Sequence, residues 1–260
     1  MKHFQYKNSS IRYTDTGKGT CVVFLHGFLE NLHLWDEIIQ DFSHKHRIIT
    51  LDLLGHGKSD CIGYIHTMED QADMLHALLS HLKIRKVILV GHSMGGYVSL
   101  AFAELYADNV KGLVLVNSTS RADSDERKEN RNRAIEMVKK NKNLFIRMAI
   151  QNLFDTEILD TISDKVEQFT QQALETPTQG VIAASEGMKE RNDREVLLHF
   201  SPYPKCIIVG KKDPILSAKA VEEETFENET QFISLPCGHV APIECPELLK
   251  ENLKSIIKQW

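Results

Sequence analysis

Val87-Ile88-Leu89-Val90-Gly91-His92-Ser93-Met94-Gly95-Gly96 is the stretch on which the reading of this chain turns. Four apolar residues in unbroken succession suit a short strand covered on both faces. Met94–Tyr106, directly after it, carries a helix pattern. Gly-x-Ser-x-Gly between a strand and a helix is the signature of a serine nucleophile on a forced turn. Gly91, Gly95 and Gly96 permit the sharp reversal and a close approach of helix to strand. The plain alternative for Ser93 is a helix N-cap.

A serine hydroxyl is a weak nucleophile near neutral pH and needs a base, with an acid orienting that base. The acid is expected in a loop that closes a later strand. Asp213 fits, because Cys206–Gly210 reads as an apolar strand and Gly210-Lys211-Lys212-Asp213-Pro214 as its terminal loop. His239 follows strand Gln231–Leu235 in the loop Pro236-Cys237-Gly238-His239, which suits a base. The plain readings are a turn aspartate before proline and a packing histidine. Ser93, Asp213 and His239 are 120 and 26 residues apart in that order. The oxyanion of an acyl-transfer intermediate needs two oriented donors, for which backbone N–H groups suffice. Met94 supplies one at the start of its helix, and Phe28 in His26-Gly27-Phe28 is expected to supply the other.

Around this centre the chain alternates. Ile11–Thr14, Cys21–Leu25, Arg47–Leu51, Val87–Val90 and Lys111–Val116 read as strands. Leu34–Phe42, Met68–Leu82 and Met94–Tyr106 read as helices. Short connections and nearly all-apolar strands predict an α/β fold: a mostly parallel central sheet flanked by helices on both faces. The rhythm breaks after Asn117. Ile135–Val138, Leu144–Leu153, Ile158–Phe169 and Gly180–Met188 are helical in spacing, Pro177 separates two of them, and no strand pattern intervenes. The region is too long for a loop and reads as an inserted helical lid. The expected organisation is a core over 1–118, the lid over 119–195, and the core again over 196–260.

Composition agrees with a globular domain. The 260 residues are 42% hydrophobic and 26% charged, and 36 acids against 31 bases give a net charge of −5. A nucleic-acid partner would call for a concentrated basic surface, and none is legible. The charged run Arg121–Lys142 carries both signs and reads as a solvated helix face. Cys21, Cys61, Cys206, Cys237 and Cys245 are odd in number and lack a tight pair, which argues against a disulfide framework. Cys21 and Cys206 are expected to be buried. No stretch reaches the length of a membrane span. The polar segment Met1–Arg12 has no apolar signal sequence, so a cytoplasmic monomer or homodimer is expected. No metal-ligand cluster or cofactor motif is present.

Taken together, these segments resemble the α/β-hydrolase fold superfamily, in its lidded esterase, enol-lactonase and C–C hydrolase branch, over essentially the whole chain. His26-Gly27-Phe28 with Trp35 downstream is similar to the family's oxyanion loop. Asp52 with Gly55-His56-Gly57-Lys58-Ser59 is similar to its Asp-x-x-Gly-His-Gly-x-Ser turn. Gly91–Gly96 resembles its nucleophile elbow, and Gly210–Asp213 and Gly238-His239 its acid and base loops. The resemblance implies a serine hydrolase cleaving small carboxylic esters through an acyl-enzyme. The same triad also serves C–C hydrolysis, enol-lactone opening and pyruvate elimination in menaquinone synthesis. The last reaction implies arginines binding carboxylate, and Arg121, Arg127, Arg131 and Arg133 are candidates. A non-catalytic small-molecule receptor is the remaining alternative. Relatives with an aspartate nucleophile are set aside by Ser93. The Asp52–Ser59 turn is expected to be structural, His92 to point into the scaffold, and His26 to hold the oxyanion loop. Met137, Leu144, Phe145, Met148 and Phe154 are the expected apolar pocket, with lid–lid packing as their other reading.

Overall fold

The computed structural model describes all 260 residues. Eight strands form one sheet: β1 (Lys2–Tyr6), β2 (Ser9–Thr16), β3 (Thr20–Leu25), β4 (His46–Leu51), β5 (Val87–His92), β6 (Val110–Val116), β7 (Lys205–Gly210) and β8 (Gln231–Leu235). Their spatial order is β1-β2-β4-β3-β5-β6-β7-β8. β1 and β2 pair antiparallel, as do β2 and β4, and every other pair is parallel. The helices are α1 (Asp36–Ile39), α2 (Met68–His81), α3 (Met94–Leu105), α4 (Asp125–Gln151), α5 (Ser163–Leu174), α6 (Thr178–Lys189), α7 (Val196–Phe200), α8 (Ala218–Glu223), α9 (Ala241–Glu244) and α10 (Pro246–Gln259). This is the α/β-hydrolase architecture that the sequence predicts.

The continuous apolar strands follow from burial on both faces. In β3, Cys21, Val23 and Leu25 enter one core with Met68, Leu75, Val98 and Phe102 of α2 and α3. Val22 and Phe24 enter the other, with Ile38 of α1 and Leu253 and Ile257 of α10. A period-2 strand between two helical layers must be apolar at every position, so alternation vanishes from its sequence. β1 is the converse: Tyr6 alone is buried, so Lys2–Tyr6 shows no apolar signal and extends the sheet beyond the expected strands. Leu34–Phe42, expected as one helix, is a 3₁₀ turn at Leu32–Trp35 followed by the short α1.

Between β6 and β7 the chain is helical. α4 bends at Asn141, whose backbone leaves the helical region (φ −157°, ψ 87°). Its side-chain Oδ1 accepts from the Leu144 N–H at 3.0 Å and so caps the second half. α6 lies against the core at two glycines. A Cβ on Gly187 would overlap the carbonyl oxygen of His66, and one on Gly180 the carbonyl of Gly55. The His66 N–H donates to the Ala183 carbonyl at 2.9 Å and fastens the same face. Gly187→Ala therefore has to push backbone apart, and is expected to lower unfolding stability by about 1–3 kcal/mol in urea titration; an unchanged midpoint would show that α6 does not hold this approach.

Candidate active site

Ser93 stands between β5 and α3 with φ 48° and ψ −115°. A non-glycine residue takes such a conformation only where its surroundings impose it. Here the imposition is steric and local. A Cβ on Gly95 would overlap the backbone carbonyls of Leu25 and His26, and one on Gly96 the Ser118 side chain. The α3 N-terminus thus sits directly on the end of β3. The Ser93 N–H donates to the Val116 carbonyl at 2.9 Å, and the Ser118 hydroxyl to the Ser93 carbonyl at 2.8 Å.

The loops after β7 and β8 bring Asp213 and His239 to this turn. The Ser93 hydroxyl lies 2.9 Å from His239 Nε2, and His239 Nδ1 lies 2.8 Å from Asp213 Oδ2. With Nδ1–H donating to the carboxylate, Nε2 is left to accept from Ser93. Asp213 is fully buried on its side chain. Its Oδ1 accepts from the Ile215 and Leu216 N–H groups at 2.8 and 2.9 Å, and its Oδ2 also accepts from Asn117 Nδ2 at 2.9 Å. Burial pushes the Asp213 carboxyl up, but His239, Asn117 and the loop amide outweigh it and hold the group below the usual 3.8. The His239 loop is clamped separately. Glu244 accepts from the Gly238 and Val240 N–H groups at 2.8 Å each and from Asp155 N–H at 3.0 Å.

Phe28 lines the space beside Ser93 and His239, and Met94, the next residue after Ser93, is buried. Met94 is the first residue of α3, where an N–H has no intrahelical acceptor. Phe28, Tyr97, Leu153, Met188 and Ile215 wall a cavity of about 170 Å³ against Ser93 and His239, with Arg127 and Arg131 among its lining. A larger cleft of about 500 Å³, beside Lys45, Lys111 and Trp260, opens at the opposite strand ends and holds none of these groups.

The expected apolar pocket is corrected. Met137, Leu144 and Met148 are exposed, at 40%, 52% and 46%. Phe154 is buried edge-to-face against Phe169 with centroids 5.9 Å apart, and Phe145 packs on the same core. The residues of this segment that reach the cavity are Ala149 and Leu153, one turn apart. Adjacent stripes on one helix satisfy the same periodicity, and only the rotation of α4 in the packed structure selects between them.

The four arginines divide. Arg121 pairs with Glu195 at 2.8 Å and Arg133 with Glu129 at 3.6 Å, both away from the cavity. Arg127 donates to the Ile215 carbonyl, and Arg131 pairs with buried Asp123. Arg191, stacked 4.0 Å over the Tyr97 ring, also reaches Asp123 at 2.7 Å. Arg131 and Arg191 thus share one buried carboxylate, and of the two only Arg131 lines the cavity.

The other motif histidines stay in the scaffold. His26 Nδ1–H donates to the Gly27 carbonyl at 2.7 Å, and its Nε2 accepts from Leu53 N–H at 2.9 Å. Burial lowers the pKa of His26 and takes that of His56 down to about 3. Asp52 organises its turn by accepting from Leu32 and Lys58 N–H groups at 2.9 and 2.8 Å and from Arg12 at 2.5 Å. Asn117, Glu30 and Glu244 were not singled out from the sequence. They are polar residues at strand and helix ends, with partners as many as 121 residues away.

Residues 20–246 match the family model described as alpha/beta hydrolase fold. The chain belongs to the alpha/beta hydrolase family. A thermophilic esterase of Thermogutta terrifontis, solved with malate bound, is 35% identical with a TM-score of 0.91, covering 96% of this chain and 94% of that one. The 3-oxoadipate enol-lactonase 1 of Acinetobacter baylyi is 24% identical over 98% of this chain and 94% of its own length. The acetyltransferase component of the acetoin cleaving system of Pseudomonas putida is 27% identical, and the chain spans 64% of its length. The alpha/beta hydrolase is thus related to esterases and lactonases, and family membership supports hydrolase-type activity on small carbonyl compounds. No helix is long and apolar enough to cross a membrane.

The depressed Asp213 carboxyl has a thermodynamic consequence. A carboxylate that binds protons less readily when folded stabilises the native state above its unfolded pKa and loses that contribution as pH falls through the lower folded value. Below pH 3.8, urea-unfolding stability of the wild type is expected to fall more steeply than that of Asp213→Asn; parallel curves would contradict the ionised, buried carboxylate.

Proposed function

We propose that the protein is a serine hydrolase that cleaves small carboxylic esters through an acyl-enzyme on Ser93. The observation that carries this reading is the Ser93–His239–Asp213 hydrogen-bond chain, at 2.9 and 2.8 Å, opening on a small, largely apolar cavity. His239 takes the Ser93 proton as Oγ attacks the carbonyl carbon. Asp213 holds the imidazole in the required tautomer and stabilises the imidazolium. The Phe28 and Met94 N–H groups receive the oxyanion, and each such donor contributes roughly 2.7–4 kcal/mol to the transition state. His239 then returns the proton to the leaving alcohol and activates the water that releases the acid. Residues 119–195 act as a lid whose inward residues, Leu153 and Met188 among them, shape the acyl site. The reaction needs no cofactor or metal.

A second reading changes the substrate and keeps the serine. Arg127 and Arg131 border the cavity, which favours substrates bearing a free carboxylate, whether an ester, an enol-lactone or a C–C diketone acid. The pairing of Arg131 with Asp123 leaves Arg127 as the stronger candidate, since its bond to the Ile215 carbonyl does not neutralise it.

Ser93→Ala is expected to lose fluorophosphonate labelling and to lower p-nitrophenyl ester turnover by roughly 10⁵–10⁶-fold with an unchanged circular dichroism spectrum. Full turnover by that variant would remove the assignment. For the carboxylate reading, Arg127→Ala is expected to raise KM about tenfold for an ester carrying a free carboxylate and to leave a neutral ester of equal length unaffected. Equal effects on both esters would count against a carboxylate subsite.

A further inference from the structure

Glu30 is a buried carboxylate on the wall of the reaction cavity. It is 3% exposed, and it borders the same space as Ser93 and His239. It lies two residues beyond Phe28. An unpaired carboxylate there would be costly to bury and would oppose the negative charge of an oxyanion. Its partner is His92, whose side chain is 0% exposed and whose Nδ1 stands 3.0 Å from Glu30 Oε2.

The His92 ring is held at both nitrogens. Its Nε2 lies 2.8 Å from the carbonyl oxygen of His239, an atom that can only accept, so Nε2 carries a proton. Its Nδ1 faces the Glu30 oxygen that also accepts from the Gly27 N–H. An ionised Glu30 oxygen can only accept, so beside it Nδ1 is protonated too. Burial pushes the His92 pKa down, but Glu30 beside it, the His239 carbonyl and the more distant Asp213 outweigh burial and raise it. The other titratable groups facing this ring are His239, with ring centroids 5.3 Å away, and His26.

Three segments of the site therefore meet on two side chains. Glu30 holds the Gly27 N–H of the loop that carries Phe28. His92 immediately precedes Ser93 on β5. Through its Nε2, His92 fixes the backbone of His239. We propose that Glu30 and His92 form a buried carboxylate–imidazolium pair that positions the oxyanion loop, the nucleophile and the base relative to one another, and that cancels the Glu30 charge beside the developing oxyanion. The inference rests on the acyl-transfer reading of Ser93. Both residues are positioning residues: they act through Gly27, Ser93 and His239, with no covalent part in the reaction.

The pair has a signature apart from turnover. In ¹⁵N-histidine NMR of the wild-type protein at pH 7.5, both ring nitrogens of His92 are expected to be protonated, and Glu30→Gln is expected to return the ring to the neutral form. A neutral His92 in the wild type overturns the proposal, whether or not any variant folds. In ester kinetics, His92→Asn leaves Glu30 uncompensated and is expected to lower kcat by about 10²-fold with little change in KM. Adding Glu30→Gln to His92→Asn is expected to recover about tenfold of that loss, since it removes the unpaired charge. A double variant no faster than His92→Asn overturns the charge-cancelling role. Wild-type protein that fails to label at Ser93 with fluorophosphonate would defeat the acyl-transfer reading itself and leave the NMR result for the pair intact.

Discussion

The N-terminus of α3 presses directly onto the end of β3, with no side chain between them. Gly95 meets the carbonyls of Leu25 and His26, and that approach forces Ser93 into a backbone conformation of φ 48°. Everything else about the site follows from this contact. The hydroxyl is lifted to the carboxyl ends of the parallel strands, where the loops after β3, β7 and β8 converge. The Met94 N–H, at the first position of α3, has no acceptor within the helix. The strain at one residue is offset by two large cores, one on each face of the sheet.

Around that turn the protein assembles buried charges, each with its own compensation. Asp213 has four donors, from His239, Asn117, Ile215 and Leu216. Glu30 has His92 and Gly27. Asp123 has Arg131 and Arg191, which together hold its carboxyl low against the effect of burial. Glu224 differs: its donors are the hydroxyls of Thr119 and Ser120 and an amide, and burial prevails and raises its pKa. Asp123 thus has full ionic partners, while Glu224, held mainly by neutral donors, anchors the start of the helical insertion. Removing one partner from any of the ionic sets leaves an unpaired charge, so these residues resist replacement singly more than in pairs.

Legibility in the sequence tracks the range of the interaction concerned. The buried strands from Cys21–Leu25 to Cys206–Gly210, the turn at Ser93 and the loops of Asp213 and His239 are local: they depend on apolar runs, glycines and strand ends. β1 was missed because only Tyr6 on it is buried. α8 was missed because Val221 alone is buried among its six residues. The short 3₁₀–helix junction at Leu32–Ile39 resembles one longer helix because both place apolar residues every third or fourth position. The pocket was misassigned because Leu144 and Met148 occupy a stripe one residue away from Phe145 and Ala149 on the same helix.

The polar residues that support the site were the least visible. Asn117, Glu30, Glu244 and Asp123 look like turn or helix-end residues until their partners arrive from distant segments. Sequence alone determined the alternation of strands and helices, the helical insertion, the forced turn at Ser93 and the order of Ser93, Asp213 and His239. Steric allowance and hydrophobic periodicity set those features within a few residues of chain. Only the tertiary structure decided which face of α4 looks inward, that Arg127 and Arg131 rather than Arg121 and Arg133 border the cavity, and that Glu30 meets His92. Those outcomes depend on how helices rotate and loops converge once two cores have packed, a condition that no short stretch of sequence contains.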